Sequence, residues 1–165
     1  MTNARPQTDR LNQIAASVAV PLLLAVLSGI QLAVHRPVTE YLLLPPLAVV
    51  IYLIFRTPAG ESTGLRSVIL LPCLAAIAGE ICWHYLGMSP HGVAIATLVV
   101  LGLQFALRAQ MPPALAIAVL AMLLHAWGPT YVLGVFEGTL IIFIAFRLWR
   151  RLARALSQRG AGPAF

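Results

Sequence analysis

The chain has no lysine, and only 5 of its 165 residues are acidic. Charged residues make up 10% of it, against about a quarter in a soluble domain. With 60% hydrophobic residues and a mean hydropathy of +0.89, a water-exposed surface cannot be assembled from this composition, so the solvent must largely be lipid. All 11 basic residues are arginine, giving net +6. They form no basic stripe with interleaved aromatics, which excludes a nucleic-acid partner. The two cysteines, Cys73 and Cys82, lie in one apolar run. As helix they stand about 13 Å apart, too far to bridge, and they pack as small apolar side chains. No Ser, Cys or His sits in a recognised nucleophile setting, and no glycine-rich phosphate loop or HExxH-type metal signature occurs. The chain reads as a non-enzyme with no cofactor and no metal.

What is present is a series of apolar segments: 11–34, 40–55, 67–87, 92–107, 112–127 and 130–149. They point to an all-α polytopic transmembrane bundle of about six segments. The first, third and sixth are long enough for about 30 Å of hydrocarbon. The others, at about 15–16 residues, reach only roughly 23 Å as helix. The first run is too long for a signal core and no cleavage site follows it, so it is expected to stay as a membrane helix. With the N-terminus inside, the interior receives Arg5, Arg10, Arg56, Arg66, Arg108, Arg147, Arg150, Arg151, Arg154 and Arg159, and the exterior only Arg36. Both termini are therefore expected in the cytoplasm, in the inner membrane of a bacterium. Residues 1–10 form an N-terminal tail, 11–149 the membrane domain, and 150–165 a basic tail that lies against anionic headgroups.

Two stretches share a pattern: "LLLPPLAVVIYLIF" opens the second segment at Pro45-Pro46, and "AQMPPALAIAVLAM" opens the fifth at Pro112-Pro113. Three segments per half would give these repeats opposite orientation, the arrangement in which interrupted helices mark a transporter's binding site. The composition allows this 3+3 inverted repeat without establishing it. Residues 92–127 fit either two thin spans or a re-entrant hairpin with its tip at Met111-Pro112-Pro113. A Pro-Pro break at membrane depth can begin a half-helix whose amides and positive dipole end attract anions, with Arg108 adding charge at the inner mouth. It fits equally an ordinary loop with proline at a helix start.

Two carboxylates fall inside spans. Glu80 lies seven residues before Gly87 and Glu137 seven after Thr130, each roughly 10 Å below the outer boundary. An ionisable group at that depth is a candidate for function, and the pair could face one cavity. His84 follows Glu80 by one turn, and His125 ends the fifth segment at the same outer level. Trp83 and Trp127 suit the aromatic belt, to which the histidines also conform.

From Tyr41 to about His125, roughly half of the chain, the sequence resembles the HPP family of small integral membrane proteins. "LLPPLAVVIYLIFRTPAGESTGLRSVILLPCLAAIAG" is similar to that family's first block, with Pro45, Phe55, Pro58, Arg66, Val68, Ile69, Ala76 and Gly79 on family positions. "MPPALA" falls on the naming motif His-Pro-Pro-Ala-Gly-Ala, with Pro112, Pro113, Ala114 and Ala116 in agreement. Met111 stands in place of the naming histidine, Leu115 in place of its glycine, and Pro72 where similar members carry another histidine. Some plant and cyanobacterial relatives are nitrite transporters, so the resemblance implies movement of a small anion, although loss of the histidines weakens the case for nitrite itself. The family is usually described with about four spans, which makes the outer segments additions.

These readings converge on a membrane transporter or channel for a small inorganic anion such as nitrite, with or without a proton link, and with the lipid bilayer as its partner. The pathway residues are expected to be Glu80, Glu137, His84, His125, Arg66, Arg108, Met111, Pro112, Pro113, Pro45 and Pro46. Two other readings compete: a proton- or cation-coupled carrier centred on Glu80 and Glu137, and a non-transporting scaffold. Short spans that shelter against neighbours leave room for a homo-oligomer under any of them.

Overall fold

A computed structural model of the protein describes residues 5–34, 45–56, 63–126 and 128–160, with side chains over 13–14, 16–29, 45–56, 63–126 and 128–152. Arg36, Tyr41, Pro58 and Trp127 lie outside the described residues, as do the side chains of Arg5, Arg10, Arg154 and Arg159. Every described element is a helix: α1 (Arg5–Val34), α2 (Pro45–Arg56), α3 (Arg66–Leu86), α4 (Pro90–Leu107), α5 (Pro113–Leu123) and α6 (Pro129–Gly160). Among the described residues, α3, α4 and the Pro129–Leu152 part of α6 are long and apolar enough to cross a membrane. The fold is a transmembrane helix bundle.

Several boundaries differ from expectation. α4 is longer because Ser89 in "GMSPHG" caps it: its hydroxyl accepts from the Gly92 amide at 3.0 Å, with Pro90 in the first turn. α6 runs past residue 149 to Gly160, so the basic tail begins as a continuation of the last span. Residues 124–126 leave the helix that the apolar run would have continued.

α3 opens with a π-helical turn, Arg66–Leu70. The cause is Pro72, which has no amide and whose ring would strike the carbonyl four residues back in an α-helix. The chain widens there, and the Leu71 amide donates to the Arg66 carbonyl, five residues back.

α3 and α5 form the centre. α4 packs on both, α6 on α3, α2 on α5 and α6, and α1 on α2. Between helices in lipid the hydrophobic effect supplies little, so close packing of small residues does the work. Ala75, Ala76, Ala78 and Gly79 of α3 and Ala114, Ala118 and Ala121 of α5 are all buried. At Gly79 the backbones touch: an added methyl would strike the Ala118 carbonyl and lie 2.8 Å from the Ala121 side chain. α6 is fixed to α5 by Tyr131, fully buried, whose hydroxyl donates to the Ile117 carbonyl at 2.7 Å. Outward, α1 exposes Ile14, Val18 and Leu22, and α4 exposes Ile95, Leu98 and Phe105. Such apolar faces fit an acyl-chain solvent.

The two proline-led helices, α2 and α5, are the short ones, with 12 and 11 residues, and occupy corresponding places in the two halves. Their packing is not equivalent. α5 meets α3 backbone to backbone, whereas α2 meets α6 through Phe55, whose ring stands 5.7 Å from Phe146 and 6.3 Å from Trp149.

Candidate functional site

One end of the bundle gathers the arginines. Arg56 ends α2, Arg66 begins α3, Arg108 follows α4, and Arg147, Arg150 and Arg151 lie on α6 where it passes the π-helical turn. They divide into two kinds. Arg56 donates to the Tyr52 hydroxyl at 2.9 Å and lies over that ring, while Arg147 and Arg150 lie over Phe143 and Phe146 at 5.0 and 5.7 Å. These are cation–π anchors, each on its own helix. Arg66 and Arg108 have neither a ring nor a carboxylate partner among the described residues. Both are exposed, and together with Ser67, Gly64, Leu65, Leu107 and Ala109 they line one open pocket of about 460 Å³. Two guanidinium groups make a set of donors suited to a small oxyanion.

Arg108 is held there at a cost. Its backbone is left-handed, φ 49° and ψ 43°. The Ala109 amide donates to the Gln104 carbonyl at 3.0 Å and the Arg108 amide to Phe105 at 3.2 Å, a paired C-terminal cap whose left-handed position normally belongs to glycine. α5 ends the same way. His125 has φ 51°, with Ala126 donating to Ala121 at 3.0 Å and His125 to Met122 at 3.2 Å. A charged and an ionisable side chain thus occupy two positions where glycine would be unstrained.

The Pro-Pro break follows. Gly79 meets Ala118, and four residues farther along α3 the Trp83 ring stacks edge-on against His125 at 4.3 Å, so α3 and α5 run in the same direction. Gly79 is about 20 Å along α3 from Arg66, and Ala118 about 8 Å along α5 from Pro113. α5 therefore begins roughly 12 Å deeper than Arg66. Ala109, beside Arg66 in the pocket, and Met111 are buried, while Gln110 and Pro112 are exposed. α4 is long and apolar enough to cross, and residues 109–112 then climb back as irregular backbone to the shorter α5. Such backbone survives at depth when protein covers it. Here the Met111 carbonyl accepts from the Gln104 amide group at 3.1 Å and from the Ala114 amide at 3.0 Å.

That arrangement corrects one expectation. The first turn of α5 offers no free amides to an anion: Pro113 has none, Ala114 donates to Met111, and Leu115 donates to Pro112 at 3.1 Å. The donors at this end are side chains.

At the opposite end Glu80 and His84 line a second pocket, about 360 Å³, with Ile81, Tyr85, Ala126 and Gly128. Glu80 is half-buried, and its Oε1 is buried without a hydrogen-bond partner. His84 is exposed, its ring 4.8 Å from that of Tyr85. Glu137 does not join them. α6 turns Tyr131, Gly134, Val135, Gly138 and Thr139 inward, which puts Glu137 on its outward face, exposed. Pro45 is exposed and Pro46 buried at the start of α2, away from the pocket between Arg66 and Arg108.

Sequence reasoning missed Ser67, Gln104 and Tyr131. Gln104 had a readable signal, as the only amide side chain in the α4 apolar run. The other two had none, since a serine after an arginine and a tyrosine near a span end are common.

A family model described as HPP, transmembrane region, matches residues 5–158. The match takes in the first and last helices, so the outer segments belong to the family region and are not additions to it. No curated protein and no solved structure matches the chain.

Proposed function

The chain belongs to the HPP family of multi-pass membrane proteins, and from that premise we propose that it moves a small inorganic anion across the bilayer, without catalysis. The observation that carries this reading is the pocket in which Arg66, Arg108 and Ser67 converge beside the irregular 109–112 segment. An anion entering from the arginine-rich end exchanges water for two guanidinium groups. In this reading that end faces the cytoplasm of a bacterial inner membrane, in keeping with the arginine excess. Nitrite is the first substrate to test.

Glu80 supports a proton link. Its unpartnered Oε1, beside His84 in the opposite pocket, is a place to hold a proton at the far mouth. Glu137 favours a homo-oligomer, because an exposed carboxyl within a span finds a polar partner most readily on the same helix of a second copy.

The test is flux of nitrite, nitrate and related anions into proteoliposomes. Wild-type protein is expected to exceed empty liposomes, with Arg66→Ala and Arg108→Ala each at least about tenfold slower, the scale of one lost charged hydrogen bond. Equal flux through wild type, both variants and empty liposomes would overturn the reading.

A further inference from the structure

Arg108 also borders a second groove, of about 680 Å³, on the outer flank of α4. Its lining has an order. Leu101, Gln104, Phe105 and Arg108 are spaced as one face of a helix, and Gln110 and Pro112 of the irregular segment form the opposite wall. Leu101 and Phe105 are exposed, Phe105 at 90%, although they lie within a span. About 10 Å of helix separates Leu101 from Arg108. The groove is thus apolar toward the bilayer interior and polar at its end, which Arg108 lines with Gln104 and Gln110. A free anion has no use for the apolar wall, and an apolar segment has none for the cation.

We propose that this groove binds one anionic phospholipid, its headgroup phosphate on Arg108 and Gln110 and an acyl chain along Leu101 and Phe105. Charge complementarity and the alignment of the groove with the lipid chains select this occupant. Because Arg108 borders both cavities, a bound headgroup draws its guanidinium away from the pocket shared with Arg66, making the lipid a regulator of that pocket. Lipid binding itself does not rest on the anion-transport reading.

The experiment is native mass spectrometry of the full chain, released from nanodiscs of phosphatidylcholine containing increasing phosphatidylglycerol, with inorganic phosphate as a separate competitor. One arginine near a membrane surface corresponds to a preference of roughly fivefold for the anionic lipid. Wild type is expected to retain phosphatidylglycerol with that preference, and excess inorganic phosphate should leave it in place. Gln110→Glu, which sets a carboxylate beside the headgroup, and Arg108→Ala should each bring it close to one, whereas Arg66→Ala should keep it. Equal retention of both lipids by wild type, a preference that survives in both groove variants, loss of it in Arg66→Ala, or displacement by phosphate would each overturn the proposal.

Discussion

Arg108→Gly separates what this residue does for the fold from what it does for permeation. At φ 49° and ψ 43° an L-residue carries about 1–2 kcal/mol of left-handed strain, which glycine does not. Glycine gives back about 0.5–1 kcal/mol through the greater freedom of the unfolded chain. The net expectation is a variant more stable than wild type by about 0.5–1 kcal/mol, or roughly 1–4 °C in unfolding temperature for a chain of this length. Both cap hydrogen bonds, from Ala109 to Gln104 and from position 108 to Phe105, involve only backbone and should persist. Anion flux should nevertheless fall at least about tenfold, because one of the two guanidinium groups is gone. Arg108→Ala supplies the contrast: it keeps the strain and loses the charge, so its flux falls equally without a gain in stability. Unfolding temperature is read by tryptophan fluorescence in detergent, and flux by stopped-flow on proteoliposomes. A glycine variant that unfolds below wild type, or that transports as well, would refute the reasoning.

Three further outcomes follow from the packing. Gly79→Val should lower the folded yield and destabilise by about 1–3 kcal/mol or more, seen as a lower unfolding temperature, because the Ala118 carbonyl it meets is backbone and cannot give way. Tyr131→Phe should cost about 0.5–1.5 kcal/mol through loss of the hydrogen bond to Ile117, with flux nearly unchanged, since that hydroxyl is remote from the arginine pocket. Glu80→Gln should leave stability within about 0.5 kcal/mol, since Oε1 has no hydrogen-bond partner to lose, while flattening the pH dependence of flux.

Much of the fold was legible because lipid imposes a simple code. Apolar runs interrupted by Pro, Gly and Arg marked all six helices, and the Pro-Pro pairs marked the two short ones. What escaped were features set by three-dimensional registration. The π-helical turn depends on how the chain relieves Pro72, and the pattern around it is apolar either way. Arg108 and His125 sit at left-handed caps, but neither residue type announces such a backbone, so residues 124–126 read as helix. Depth alone paired Glu80 with Glu137; facing is fixed by α6 burying Gly134 and Gly138, which leaves Glu137 outward. Arg56, Arg66, Arg108, Arg147, Arg150 and Arg151 gather at one end, yet only packing distinguishes the ring-anchored ones from Arg66 and Arg108.

The seat of Gly79 against Ala118 has a mechanical consequence. Two helices joined where no side chain fits between them move as one blade, and the remaining helices ride on that blade. In the proposed transport, opening is then a displacement of a peripheral helix against it. The cavity between Arg66 and Arg108 has the foot of α3 for one wall and the end of α4 for the other. It is a seam against α4, the least buried of the three long spans, so in the proposed transport a swing of α4 would widen or narrow the pocket.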